Sequence, residues 1–252
     1  MHHMKLSQFF QGPYIEQALD AYLAARPDWD IGTKIELYRY ADTAFGYDQP
    51  DYERRQAFYA IYNTLKSYWK VFRNAQNYWD ADTTFSALDA LRLSRRDSGI
   101  NLISLSVGTH SADILRELLS LRDLKKNQSY PYMAVSKFLH FSNPGLYPIF
   151  DTDAVWNTVC NGLFKPDYCD FCSHHQLRPN ETSGRFNLDY TLWASKLLQD
   201  ADPQFMKIFS GWMMRQIPHA ENPDSLAIKL SSYYATAFEF IAIGAADWIR
   251  SS

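Results

Sequence analysis

The sequence predicts an all-α fold, a single globular multi-helix domain spanning residues 1–252, and three observations carry that expectation. Apolar residues recur at helical spacings of three and four along most of the chain. Only one short stretch alternates as a strand would. No internal repeat, low-complexity tract or linker divides the sequence, so one domain is expected rather than two.

The first helix is read in PYIEQALDAYLAA, where Pro13 suits an opening turn whose N–H groups lack helical acceptors and Arg26-Pro27 ends it. A second is expected from about Thr33 to Phe45. A third, from about Asp51 to Phe72, carries Phe58, Ile61, Tyr62, Leu65, Tyr68, Trp69 and Phe72 on one face. TTFSALDALRL and SADILRELLSLRDL follow, the latter with Ser111 as its expected cap. INLISLSVG has the β-branched alternation of a strand but stands alone. VWNTVCNGLF reads as helix, residues 165–186 as a long loop, and the chain closes with helices near Leu188 to Asp200, Pro203 to Gln216 and Ser225 to Arg250.

Composition narrows the function classes. Lys+Arg 25 against Asp+Glu 28 gives a formal charge of -3, so no general positive field marks a polyanion binder, although a local basic face stays open. Tyr 17, Phe 16 and Trp 7 make the chain rich in rings. Many tyrosines stand beside charged residues, a pattern that buries the ring and leaves the hydroxyl near water. Core packing explains it; a base-stacking platform or a small-molecule pocket lined by tyrosines are the other readings. The first residues show no apolar signal segment, so a cytoplasmic location is expected, and His2 and His3 are set aside from site reasoning. ATAFEFIAIGAADWI is interrupted by Glu239 and Asp247 and is too short to span a bilayer, so no membrane association is expected.

The segment with the sharpest local grammar is SKFLHFSNPGLYPIFDTDAVW, residues 136–156. Helical spacing puts Ser136, Lys137 and His140 on one polar side, opposite Val135, Phe138, Leu139 and Ser142. Pro144 forces Asn143 out of the helical region, Gly145 frees the turn, and Pro148 holds YPIFD extended. Asp151 then arrives as N-cap of the next helix. On physical grounds alone Asp151 is a cap and Lys137 a solvated helix lysine, or the two form an active site.

The order of a Lys-bearing helix, a short loop, an apolar-Pro-Ile-apolar-Asp segment and a helix resembles the core of the helix-hairpin-helix DNA glycosylase superfamily, over about residues 126–160. The resemblance implies a DNA-acting protein that recognises or excises a base. Asp151 would be the acidic residue that activates the nucleophile or stabilises charge on the sugar, and Lys137 the nucleophile or a phosphate contact. Ser136 and His140 are the accompanying binding candidates. The segment NQSYPYMAVSK holds no glycine where the family carries a glycine-rich hairpin. The second reading is a non-catalytic helical protein that keeps the scaffold and binds a protein partner.

All three cysteines fall within CNGLFKPDYCDFCSHH. Cys169 and Cys172 have a spacing that can place two thiolates on one metal, and His174, His175 or Cys160, with Cys160 and His175 as the chosen pair, would complete a tetrahedral structural zinc site pinning the 165–186 loop. The bland reading is a loop with reduced thiols.

Overall fold

Helix α11 (Tyr234–Ser251) is buried continuously from Ala235 to Ala246, and the chain is arranged to cover it. Its most extensive partner is α1 (Gly12–Ala24). The two can approach because Gly244 has no side chain: a Cβ there would stand 1.9 Å from the Ala18 carbonyl oxygen. The computed structural model describes residues 4–26, 28–46, 48–69, 71, 78–95, 100–124, 130–177, 184–217 and 223–252, and the regular elements among them are all helical.

Around α11 and α1 pack the 3₁₀ turn Leu6–Phe10, α9 (Phe205–Arg215) and a π-helix, Thr152–Leu163. A second group joins α2 (Asp28–Ala44), α3 (Asp51–Asn63), α4 (Ala81–Arg95) and α6 (Tyr132–Ser142). Phe58 stands at its centre, with the rings of Phe45, Tyr62, Phe85 and Phe138 at 5.4–6.4 Å in tilted or edge-on arrangements. Such offset geometries suit the ring quadrupoles. Helix α8 (Gly184–Gln199) touches α5 (Ser111–Ser120), α6, α7 (Lys165–His174) and α11, and so ties the groups together.

The all-helical expectation holds among the described residues, with differences that have local causes. INLISLSVG forms no strand: Leu102–Ser104 is a 3₁₀ turn whose Leu102 N–H bonds the Gly145 carbonyl at 2.9 Å, so the segment braces a turn instead of pairing with a strand. The 165–186 loop is helical at both ends, as α7 and the start of α8, because Pro166 sits in an opening turn and Tyr168, Phe171 and Cys172 bury one side; residues 178–183 lie outside the described set. The third helix stops at Asn63 and continues as a π turn over Thr64–Tyr68, and Phe72 lies outside the described residues. The last helix is two, α10 (Pro223–Leu230) and α11. Ser111 does not cap through its own side chain onto α5; its hydroxyl accepts from the Gly108 N–H at 3.1 Å.

Gly244→Ala tests the close crossing. Alanine gains about 1 kcal/mol of helix propensity, but a methyl carbon against a backbone oxygen cannot be relieved by a rotamer change, and overpacking costs about 1–3 kcal/mol or more. The variant is expected to melt lower by roughly 3–10 °C, taking about 2–4 °C per kcal/mol for a chain of this size. An unchanged melting temperature would show that α1 and α11 do not cross so closely.

Candidate functional site

Helix α6 is buried nearly all round, so its polar residues do not share one solvated face. Each is used differently. Ser136 Oγ accepts from the Phe150 N–H at 3.0 Å and donates to backbone carbonyls of Met133 and Phe150, clasping the extended segment to the helix. His140 Nδ1 donates to the Tyr147 carbonyl at 2.7 Å, which leaves Nε2 to accept from the Tyr38 hydroxyl at 2.8 Å; Tyr38 in turn accepts from Thr236 at 3.1 Å. Ser136 and His140 therefore hold the backbone of residues 147–150 in place and do not line the cavity described below.

That backbone delivers Asp151. Its φ of -135° and ψ of 139° are the extended values of an N-cap. Oδ1 accepts from the N–H groups of Asp153 at 2.9 Å and Ala154 at 3.1 Å, and its carbonyl accepts from Val155 at 3.1 Å and Trp156 at 3.0 Å, the last an i→i+5 bond that starts the π-helix. With Oδ1 engaged, Oδ2 faces Lys137 Nζ at 3.3 Å. The capping and pairing roles expected as alternatives are thus filled by different oxygens of one carboxylate. Lys137 is mostly buried, its side chain 9% exposed, while Asp151 is 37% exposed and meets the opening. Burial pushes the Asp151 carboxyl up, but the Lys137 ammonium and the two backbone N–H groups more than offset this, leaving it below its ordinary range.

The pair opens into a cavity of about 260 Å³ where α1, α2, α6, α11 and the π-helix converge. Lys34 on α2 donates to Glu239 on α11 at 2.8 Å and to the Tyr22 hydroxyl. At the entrance Arg26 lies 3.8 Å over the Tyr22 ring and pairs with Asp247 at 2.7 Å. The Trp69 ring spans both lysines, its centroid 6.0 Å from each ammonium nitrogen. Ile149, Ala154, Val155 and Ile243 supply the apolar wall. Sequence spacing gives no sign of Tyr22, Arg26, Lys34 or Trp69. Glu239 has one: it is the first charge in the apolar run ATAFEFIAIGAADWI.

The three cysteines expected as metal ligands lie near one another, on the π-helix and α7. Cys160 lies buried on the π-helix, Cys172 is buried and Cys169 exposed on α7, and His175 follows the helix end. Burial pushes the Cys160 thiol well up and that of Cys172 up to about 12, which keeps both protonated at neutral pH. Among the described residues no group of three or more His, Cys, Asp and Glu side chains is placed to hold a metal ion. No described helix is long and apolar enough to cross a membrane. No protein-family model, curated protein or solved structure matches the chain.

Burial lowers His140 from 6.5 to about 4, with the Lys34 charge adding to this and Glu239 and the Tyr147 carbonyl opposing it. A folded value below the unfolded one means that the unfolded chain binds a proton first. This contribution to stability is therefore complete above about pH 6.5 and is lost as pH falls toward 4. Asp151 acts in the same sense at lower pH, below its ordinary carboxylate range. The melting temperature of wild type is expected to fall between pH 6.5 and 4 more steeply than that of His140→Gln. Parallel curves would mean that His140 is not held neutral by burial.

Proposed function

We propose that the chain is a helix-hairpin-helix glycosylase-like protein that recognises or excises a base in DNA. The observation that carries this reading is the meeting of Lys137 and Asp151, at 3.3 Å, in one cavity open to solvent. An ordinary solvated helix lysine would not be buried to 9% exposure against a capping aspartate. The cavity lies just below the range of about 300–1,000 Å³ typical of drug-sized ligands, a size suited to one flipped base. Its lining holds three cationic side chains, Arg26, Lys34 and Lys137, against two carboxylates, Asp151 and Glu239. Each of the three cations is ion-paired, Arg26 with Asp247, Lys34 with Glu239 and Lys137 with Asp151, so a sugar-phosphate would bind here by competing with a carboxylate and not through a local excess of positive charge.

The geometry divides the chemistry between the two residues. In excision the bond from the sugar carbon to the base nitrogen breaks and its electron pair leaves with the base, so positive charge builds on the sugar. Asp151, with its carboxyl held low and Oδ1 fixed by two N–H groups, presents a preorganised carboxylate to that charge. Water adds to the carbon, and the proton it releases balances the negative charge on the departing base. Lys137 pairs with this carboxylate as a cation at 3.3 Å. It contacts phosphate in that state, and attacks the sugar carbon itself only after shedding a proton and separating from Asp151.

The test is low-salt binding of the full chain to labelled duplexes, intact and containing an abasic analogue. Preferential abasic binding is expected, with Lys137→Gln weakening it about tenfold and reducing the dependence of log K on log salt by about 1. Asp151→Asn keeps an N-cap side chain, so it is expected to bind while failing to release a base. Absence of binding to either duplex at low salt would remove the DNA reading.

A further inference from the structure

Arg26 stands at the cavity entrance with only one side of its guanidinium engaged. Nη1 donates to the Tyr22 carbonyl at 2.9 Å and to Asp247 Oδ2 at 2.7 Å. The plane of the group is held as well: its carbon lies 3.8 Å from the centroid of the Tyr22 ring, which is itself stacked on Phe240 with centroids 4.4 Å apart. Nε and Nη2 carry the remaining N–H groups of a guanidinium. In Arg26 they have no hydrogen-bond partner among the described residues, and they are not sealed from solvent, in a side chain 19% exposed. We infer that this edge of Arg26 binds a phosphodiester next to the nucleotide whose base enters the cavity. This rests on the reading of the cavity as a base-recognition site and adds to it the residue that holds the strand.

Three features select that ligand. Nε–H and the nearer Nη2–H point the same way in one plane, and two oxygens of one phosphate accept them as parallel hydrogen bonds. Asp247 stands on the Nη1 side, so it competes with an incoming phosphate for the charge of Arg26 but does not occupy this edge. The other cations of the lining are placed differently: Lys34 is nearly sealed against Glu239, and Lys137 shares the opening with Asp151. Finally, a nucleotide within a strand has a phosphate on each side of its sugar. Lys137 contacts one in the proposed chemistry, and the other needs a donor at the entrance, where Arg26 stands. With the ring contact and the Nη1 bonds already made, the fork is ordered before a ligand arrives, so little side-chain freedom is lost on binding.

Binding of the full chain to a duplex with an abasic analogue tests this when the two phosphates flanking the analogue are replaced, one at a time, by neutral methylphosphonates. Arg26→Lys keeps a cation for Asp247 and loses the fork. It is expected to bind the parent duplex about tenfold more weakly than wild type, with an unchanged salt dependence. At one of the two methylphosphonates, where wild type has already lost the contact, Arg26→Lys is expected to lose nothing further. A purely structural role would weaken every duplex by the same factor. Arg26→Lys binding as tightly as wild type, or losses that add at both positions, would overturn the inference and leave the DNA reading standing. Absence of wild-type binding to the parent duplex would remove both. If Arg26→Lys does not fold, the Nε–H resonance of Arg26 in wild type decides. It is expected to shift with the parent duplex and to stay in place with one of the methylphosphonate duplexes; equal shifts with all three would overturn the inference.

Discussion

The structure depends on keeping two lysines and two carboxylates together where its two helix groups meet. Removing an ion from water costs several kcal/mol even after relaxation, so Lys34 and Lys137 stay in this seam only because Glu239 and Asp151 stand 2.8 and 3.3 Å away. Well-packed apolar side chains of similar volume would often be as stable or more so. The fold therefore gives up stability to place charge there, and strained or costly features of this kind tend to collect at functional sites. The surrounding arrangement follows. Helix α6 is clamped by Ser136 and His140 so that the extended segment ends with Asp151 in register with Lys137. Gly244 lets α1 and α11 close, bringing Tyr22 beside Lys34 and Glu239.

The two pairs are not equivalent. Lys34 and Glu239 are both nearly sealed, with side-chain exposures of 9% and 4%, whereas Asp151 is at the opening. A gradient from a dry floor to a wet entrance suits a ligand that inserts a flat ring and leaves a charged portion outside. Trp69, lying over both lysines, connects floor and entrance and covers charge with a ring face that water would otherwise hydrate.

Much of this was legible in residues 136–156, where short-range rules dominate. Pro144, Gly145 and Pro148 act on the backbone next to them, and Asp151 as N-cap follows from what comes after it, so local grammar placed the cap and left a meeting of Asp151 with Lys137 as one of two readings. The polar face assigned to Ser136, Lys137 and His140 was half right: helical spacing groups them, but burial by neighbouring helices turned Ser136 and His140 into internal fasteners. INLISLSVG shows the same limit, since β-branched alternation describes a half-buried surface and a turn bracing Gly145 presents one as well. The second ion pair joins residues 205 positions apart, beyond any periodicity argument. Its only trace was a glutamate in an apolar run.

In the proposed function Lys137 and Asp151 form one ligand-facing unit at the mouth of the Trp69 cavity. A crystal structure of the full chain bound to a duplex with an abasic analogue tests it most directly. The abasic sugar is expected at the cavity entrance, within hydrogen-bond reach of both Lys137 Nζ and Asp151 Oδ2. DNA seated on another face, with the cavity closed to it, would show that the Lys137–Asp151 pair does not face the ligand.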